Sequence, residues 1–450
     1  MATLPPIPDF IQLEHDVATI LTQQEIHGWC FDERAAWELE SSLRRELETL
    51  TQLLRNRYPL IKDREFTPKR VNRTTGYVAG APLTKLKEFN PGSRDHIAWV
   101  MKNHHGWIPD KETASGKTAI DETVLKDIGT EESLQFFRCL ELTKQLGMLS
   151  EGKNAWLKLT KGNRIHHHCS VSTNTHRCAH RNPNLAQVPS DLNFRKLFTA
   201  SPGYVMVGAD LAGIELRMLA HYLARYDGGR YGDVLLNGDI HQENADKIGI
   251  SRRLVKTVTY AFLYGAGDQK IGFSYDQSLS PNKAKEKGAE IRSAYVAAID
   301  GLDSLLTAVR QAGERGFIRS IDTRKIAVDS PHKALNYLLQ SGAGVVAKRW
   351  MVIANDTFFH NHTHQLAFIH DELQWETTPD AAEILKLHLE ESAIAAGQYY
   401  NLRIHLLRKT LQEIILQVSS MPFLHSCKSH FFLYLELCLI SRYFYDFLLH

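Results

Sequence analysis

Apolar residues recur at the three- and four-residue spacing of an α-helix over most of this chain. The pattern predicts helices within the first 28 residues and over about 33–57, 133–149, 284–316 and 330–361. Residues 58–94 are basic and show no period, so we expect an irregular loop there, with a new helix opening near its end.

Two stretches combine a strand pattern with an acidic residue. Residues 204–207 form a short apolar run that predicts a buried strand, and Asp210 and a helical pattern follow at once. In residues 364–377, apolar and polar positions alternate on both sides of Asp371, which predicts two strands joined by a tight acidic turn. An acid at the end of a strand is well placed to bind a metal ion. The simpler alternatives are a helix N-cap for Asp210 and an ordinary surface hairpin for Asp371.

The segment 251–267 is predicted to be a helix with one unusual face. Arg252, Lys256, Tyr260 and Tyr264 recur every four residues, so their side chains share that face. Two cations followed by two aromatic rings suit a triphosphate at one end and a base at the other. The simpler alternative is a basic face exposed to solvent.

The composition adds few constraints. With 450 residues, 43% hydrophobic and 23% charged, the chain is typical of a globular protein with several subdomains. Its net charge of +2 gives no global basic excess, although a basic groove would be enough to bind nucleic acid. Six cysteines without a CxxC pair, and an N-terminus without a signal-peptide pattern, indicate a reducing, cytoplasmic setting.

The segments around Asp210, Lys256 and Asp371 together resemble motifs A, B and C of the family A (polymerase I type) DNA polymerases. Their sequences are similar to those of the replicative polymerases of short-tailed phages, and the resemblance runs from about Trp29 to about Leu406. Three motifs in the right order, each on its expected element, are far more specific than any one of them. Three flanking phrases are similar too: PNLAQVP at 183–189, LNGDIH at 236–241 and SPHKALNYLLQSGAG at 330–344.

The resemblance implies an α+β, right-hand polymerase fold with a helical thumb and fingers and an antiparallel-sheet palm. The expected parts are a DNA-gripping thumb at 1–160, the first part of the palm with motif A at 161–236, the fingers with motif B at 237–329, and the second part of the palm with motif C at 330–406. Residues 407–450 depart from the family pattern, and a frameshifted reading frame explains them best.

The implied activity is template-directed DNA synthesis, in which a primer 3′-hydroxyl attacks a dNTP and pyrophosphate leaves. By this resemblance, Asp210 and Asp371 are the catalytic carboxylates and hold two Mg²⁺ ions. Magnesium prefers oxygen ligands, and two hard cations can activate the hydroxyl and neutralise the triphosphate. The backbone carbonyl of Leu211 and, more weakly, Glu372 are the further metal ligands that we expect.

The same resemblance assigns residues to the nucleotide. We expect Tyr260 to pack against the sugar and base, and Tyr264 to stack where the template base waits. Glu215 would fill the space that a ribose 2′-hydroxyl needs, although a salt bridge to an arginine is the simpler role. Three side chains are expected at the triphosphate: Arg252, Lys256 and His241.

The residues implied at the DNA lie in three separate segments. Asn336 and Gln340 are one helical turn apart, and their amides would donate to the universal acceptors of the minor groove. Arg177 belongs to a primer-side motif with a Thr-Gly-Arg core, but here His176 stands in the glycine position, which puts the local backbone geometry in question. Residues 165–180 are rich in His and Cys, yet they lack a standard zinc spacing. The full set of residues expected at the DNA is Arg177, Asn336, Gln340 and His370.

The expected partners are primer–template DNA and dNTPs, with no membrane. A thioredoxin-type processivity factor is not expected, because the connection within the thumb looks short, and the chain has no room for a proofreading exonuclease. Two alternatives stay open. One is a degenerate relative that only binds primer–template DNA, motivated by His176 and the unusual tail. The other is a single-subunit RNA polymerase, which Glu215 and the motif at Tyr260 disfavour.

Overall fold

The computed structural model describes residues 6–109, 118–171, 173–276, 279–355 and 363–404. The predicted divergent tail lies outside these residues. The helices of the described part are α1 (Asp9–His27), α2 (Glu33–Arg57), α3 (Arg94–His104), α4 (Glu122–Ile128), α5 (Glu131–Leu146), α6 (Trp156–Leu159), α7 (Leu192–Arg195), α8 (Ile214–Asp227), α9 (Arg230–Asn237), α10 (Ile240–Ile248), α11 (Arg252–Leu263), α12 (Asp268–Tyr275), α13 (Pro281–Ala298), α14 (Leu302–Gly313), α15 (Ala334–Ala354) and α16 (Ala382–Tyr399). The strands are β1 (Trp29–Phe31), β2 (Leu60–Phe66), β3 (Leu83–Glu88), β4 (Arg164–Ile165), β5 (His168–Ser170), β6 (Ala179–Arg181), β7 (Phe198–Thr199), β8 (Val205–Asp210), β9 (Phe317–Arg319), β10 (Lys325–Ala327), β11 (Thr363–Ile369) and β12 (Glu372–Thr377).

The sheet that matters most for function has three antiparallel strands in the order β11-β12-β8. β11 and β12 form the predicted hairpin, and β8 pairs with β12 so that Val205 lies opposite Thr377 and Asp210 lies opposite Glu372. The middle of β8 is apolar and buried, while its last residue, Asp210, is exposed. The strand therefore ends where the core ends.

The apolar side chains form three clusters. The first and largest gathers residues of β8, β12, α8, α11 and α13–α16, and also four residues of α1. The second lies around β1, β7 and the first half of α2, and the third around the end of α2 and helices α3–α5. No helix in the described ranges has both the length and the apolar run that a bilayer span requires.

Most of the predicted helices are confirmed. The helix expected at 33–57 has those bounds, and Asp32 caps its first turn by accepting a hydrogen bond from the Ala35 N–H. The helix expected at 284–316 is instead two helices, α13 and α14, with Gly301 between them at φ 78°. A glycine adopts this left-handed conformation without strain, so the chain turns there.

The prediction of an irregular loop at 58–94 was wrong. Strands β2 and β3 pair there in an antiparallel ribbon, with Ile61 opposite Lys87. Ile61 is the one fully buried residue of the two strands, and the other side chains are exposed or partly exposed. Since no face of the ribbon is apolar, the sequence carries no two-residue hydrophobic period. The pairing depends on backbone hydrogen bonds that a side-chain pattern cannot report.

Helix α1 is fixed to the first cluster by buried charges as well as by apolar side chains. The Lys348 ammonium on α15 is fully buried and donates to both Glu14 oxygens, at 2.9 Å and 2.7 Å. The Arg324 guanidinium, 7% exposed, also pairs with Glu14 and with Asp322. A buried ammonium without a counter-charge would be costly, so this contact fixes how α1 sits on α15.

Removing the Glu14 charge should therefore destabilise the protein. We expect Glu14→Gln to cost roughly 3 kcal/mol of unfolding free energy, because it leaves Lys348 buried without its carboxylate. The measurement is a denaturant titration followed by circular dichroism. The matched control is Glu38→Gln, which breaks the exposed Arg34–Glu38 pair and should cost less than about 0.5 kcal/mol. Equal effects of the two substitutions would contradict this interpretation.

Candidate active site at the end of the central sheet

The two predicted catalytic aspartates lie at one end of the β11-β12-β8 sheet, which we call the central sheet. Asp210 is the last residue of β8, and Asp371 lies in the turn between β11 and β12. The Leu211 N–H donates a hydrogen bond to the Asp371 carbonyl at 3.0 Å, which ties the two segments together directly beyond the Asp210–Glu372 pair. The backbone pairing of the sheet thus brings two residues that are far apart in the sequence to the same edge.

The turn that carries Asp371 is unusually tight. His370 has φ 62°, a left-handed conformation that histidine adopts more often than most residues, and the Asp371 N–H donates to the Ile369 carbonyl at 2.9 Å. The His370 ring lies edge-on to the His180 ring, with 5.9 Å between centroids. The turn is therefore held from both its backbone and its side chain.

Water exclusion and the charges of neighbouring acids raise the pKa values of both aspartates. Asp371 is half-buried, and desolvation, followed by the charges of Asp210 and Glu215, raises its pKa to about 7. Asp210 keeps an open side, but the surrounding protein removes enough water to raise its pKa to about 6, with Glu372 and Glu215 adding to the shift. Asp210, Asp371 and Glu372 thus place carboxylate oxygens at one edge of the sheet, and such an oxygen-donor set suits a hard divalent cation.

Glu215 joins three separate segments next to these aspartates. It lies in the first turn of α8, is 7% exposed, and forms an ion pair with Arg177. It also accepts a hydrogen bond from the Tyr264 hydroxyl at 3.1 Å. Burial and then the Glu215 charge raise the pKa of Tyr264, so the phenol stays protonated and keeps donating. Glu215 thus connects the loop before β6, α8 and the end of α11.

Helix α11 lies next to the same region with the predicted row of cations and aromatic rings, called the stripe below: Arg252, Lys256, Tyr260 and Tyr264. Its apolar residues, including Val255, Val258 and Phe262, are buried, while Arg252 and Lys256 are exposed and Tyr260 is partly exposed. Lys256 forms no ion pair with any described residue, which leaves its ammonium available for an anion. Tyr264 is the C-cap of the helix and is 50% exposed. The four residues therefore share a face, as predicted.

The cationic end of the stripe is built against α10. Asp239 caps α10 by accepting from the His241 and Gln242 N–H groups, and its other oxygen accepts from Arg252 Nε at 2.7 Å. His241 is 9% exposed, and its ring centroid lies 6.3 Å from that of Tyr260. Desolvation lowers the pKa of His241, so its ring is neutral near pH 7. His241, Arg252 and Tyr260 consequently lie next to one another.

Asn336 and Gln340 differ in their surroundings. Asn336 is 9% exposed, and its side-chain amide donates to the Leu263 carbonyl at the end of α11, whereas Gln340 is partly exposed. The Asn336 contact fixes the end of α11 against α15. Contact of these two amides with a minor groove stays a prediction.

Comparison with known proteins decides the family. The model of DNA polymerase family A matches residues 71–410. This chain belongs to DNA polymerase family A. The DNA-directed DNA polymerase of Escherichia phage T7 is 31% identical over 484 residues, and the alignment covers 87% of this chain and 67% of that protein. The polymerase of Enterobacteria phage T3 is similar to the same extent.

A solved structure supports the fold of this family A polymerase. The POL domain of Pol1 from M. smegmatis, in a complex with DNA primer-template and dNTP, aligns with a TM-score of 0.67 at 21% identity and covers 85% of this chain and 67% of that one. This structure confirms the right-hand α+β fold, whereas the family match and the phage relatives confirm the family and the enzyme class, DNA-directed DNA polymerase. The domain boundaries and the roles of single residues stay predictions.

Two features of the polymerase site were missed from the sequence. Asp239 both caps α10 and orients Arg252, and an aspartate directly before a helical run is a capping signal that could have been used. A salt bridge from Glu215 to an arginine was the simpler expectation, but neither the partner Arg177 nor the hydrogen bond from Tyr264 was predicted, because these residues come from three distant segments. Only the folded chain brings them together.

The described residues of the polymerase include one other group with metal-type ligands. His27, His364 and Glu376 have ligand atoms within 4.8 Å of one another. The buried Glu376 carboxylate already accepts hydrogen bonds from His27 Nε2 and from the Ser201 N–H, each at 2.7 Å. These contacts account for the group as a network that joins the end of α1 to β12. The histidine-rich segment considered for zinc contributes no member to it.

The raised pKa of Asp371 predicts how stability depends on pH when no metal is bound. Because its folded-state pKa of about 7 exceeds the ordinary 3.8, Asp371 increasingly destabilises the fold as pH rises between these values. Asp371→Asn should raise the midpoint of thermal unfolding in EDTA by on the order of 2 °C at pH 8, and by less at pH 5. Asp380→Asn, at an exposed position, is the control. An increase that does not depend on pH would contradict the assignment.

Proposed function

We propose that this polymerase extends a DNA primer by two-metal phosphoryl transfer in phage-type replication, within the cytoplasm of a bacterial host. Template-directed DNA synthesis is the activity of the family to which the chain belongs. The observation that carries the finer proposal is the convergence of Asp210 and Asp371 at one sheet edge, beside the cationic, tyrosine-bearing face of α11.

The metal-binding part of the proposal uses oxygen donors only. Asp210 and Asp371 would share two Mg²⁺ ions, with the Leu211 carbonyl and Glu372 as further ligands. Bound magnesium would lower the pKa of the primer hydroxyl and neutralise charge on the departing pyrophosphate. The protein itself positions the donors and needs no nucleophile of its own, as phosphoryl transfer generally requires positioning more than covalent catalysis.

The nucleotide would lie along α11. Arg252, Lys256 and His241 would contact the triphosphate. The Lys256 ammonium, which has no ion pair within the described part of the chain, is the strongest candidate for a direct phosphate contact. Tyr260 would pack on the sugar and base. The buried Glu215 carboxylate beside this ring would exclude a ribose 2′-hydroxyl, which favours dNTPs over rNTPs.

The DNA would cross the same edge. Arg177 and His370 flank the aspartates and would contact the primer strand, while Asn336 and Gln340 on α15 would face the minor groove. We propose 1–160 as the thumb, 161–236 and 330–406 as the palm, and 237–329 as the fingers. Helix α1 lies within the proposed thumb range, but its buried residues contribute to the cluster around the palm sheet. A thioredoxin-type factor is not expected.

Loss of a catalytic carboxylate should abolish synthesis. Asp371→Ala and Asp210→Ala should each lower magnesium-dependent primer extension at least about a hundredfold, because each removes part of the charge that holds the metal ions. Asp380→Ala, another exposed aspartate, is the control and should act as wild type. Extension with dNTPs but not rNTPs is expected. Wild-type protein that binds primer–template but extends nothing would favour the degenerate relative, and extension with rNTPs would favour the RNA polymerase alternative.

Removing the Lys256 ammonium on α11 should weaken the enzyme's use of dNTPs. Lys256→Ala should raise KM for the dNTP about tenfold to a hundredfold, because a charge-assisted contact to phosphate is lost, and should leave the Kd for primer–template nearly unchanged. Steady-state kinetics of single-nucleotide insertion measure the first quantity and fluorescence anisotropy the second. Lys270→Ala on α12 is the matched control. Unchanged nucleotide kinetics in Lys256→Ala would show that the stripe faces something else.

A further inference from the structure

The loop that leads to Arg177 contains a strained residue. His176 has φ 60°, in the left-handed region that glycine adopts freely and that other residues adopt at a cost. The motif that this loop resembles has glycine at the same position. A contact that fixes the histidine would offset this cost and help the loop to keep its shape.

The compensating contact reaches α15. His176 Nδ1 lies 2.7 Å from the Ser341 hydroxyl oxygen, and Ser341 is fully buried. The Ser341 hydroxyl in turn lies 2.7 Å from that of Ser320, which is 6% exposed and follows β9. This chain of hydrogen bonds joins the loop to α15 and to the end of β9 through buried groups, where such bonds are strongest.

Further contacts fix the rest of the loop. The Thr173 hydroxyl donates to the Arg177 carbonyl at 2.6 Å, and the Asn174 side-chain amide donates to the Ala327 carbonyl at 3.0 Å. On α15, a Cβ added to Gly344 would lie 3.2 Å from Arg177 Cγ and 3.4 Å from the His176 carbonyl oxygen. The loop therefore rests almost directly on the backbone of α15.

We propose that His176 is a positioning residue: its hydrogen bond to Ser341, which is in turn bonded to Ser320, fixes the loop on α15 and so holds the Arg177 guanidinium against Glu215 at the primer side of the active site. Glycine would adopt this backbone conformation freely, whereas the histidine is fixed in it by the His176–Ser341 hydrogen bond, which we call the anchor. The consequence for catalysis rests on the proposed function, because it requires Arg177 to act on the primer. The anchor itself is a property of the folded chain and can be measured without a substrate.

The anchor is tested first without nucleotide or DNA. His176→Gly removes the ring and keeps a residue that adopts this backbone conformation. Ser341→Ala removes the hydroxyl that the ring contacts, and alanine is well tolerated in a helix such as α15. Hydrogen–deuterium exchange at residues 173–177 should increase in both variants. Asn163→Gly is the matched control, since Asn163 has φ 57° in a different loop, where its carbonyl accepts a hydrogen bond from the Phe31 N–H. Unchanged exchange in His176→Gly and Ser341→Ala would overturn the proposal.

The role of the anchor in catalysis is tested by coupling to Arg177. In single-nucleotide insertion, corrected for active-site concentration, His176→Gly and Ser341→Ala should each lower kcat about three- to tenfold, and the double variant should be no worse than either single one. In an Arg177→Ala background neither substitution should have a further effect, which a general loss of folding would not reproduce. Wild-type kcat in both variants, or an undiminished effect without Arg177, would overturn the positioning role. An inactive wild type would instead refute the proposed function and leave the exchange result standing.

Discussion

The whole site depends on the register of one short backbone ladder. Strand β8 pairs with β12 so that the ladder ends at Asp210 and Glu372, and one further hydrogen bond, from the Leu211 N–H to the Asp371 carbonyl, closes it. Side chains alternate between the two faces of a strand, so a slip of one residue would move Asp210 to the opposite face. The buried apolar residues of both strands oppose such a slip, because it would expose them. The hydrophobic core therefore determines where the carboxylates lie.

The same region accepts unfavourable electrostatics. Burial and the charges of neighbouring acids, Glu215 among them, raise the pKa values of Asp210 and Asp371, and Arg177 relieves only part of this repulsion at Asp371. A fold selected for stability alone would not keep three such acids together, but a site that binds divalent cations needs that charge. Fixed neighbours hold them in place: the His370 turn on one side and the Tyr264 hydroxyl on the other.

Sequence patterns predicted what depends on local spacing. The bounds of α2 and the shared face of α11 follow from helical periodicity and a capping aspartate, and the motif order gave the family, which the comparisons confirm. The β2–β3 ribbon was missed because its pairing involves backbone groups between exposed side chains. The hydrogen bonds from the Asn336 amide to Leu263 and between His176 and Ser341 could not be predicted either, because the two partners of each bond come from distant segments. Spacing predicts which residues share an element, whereas tertiary packing decides which residues face them.

The most direct test of the central claim is a crystal structure with a dideoxy-terminated primer–template, a dNTP and Mn²⁺, examined by anomalous scattering. Manganese takes the oxygen ligands that magnesium prefers and can be located without ambiguity. We expect two anomalous peaks between the Asp210 and Asp371 carboxylates, next to the triphosphate on α11. Peaks bound elsewhere, or carboxylates directed to different regions with the DNA away from them, would contradict the account.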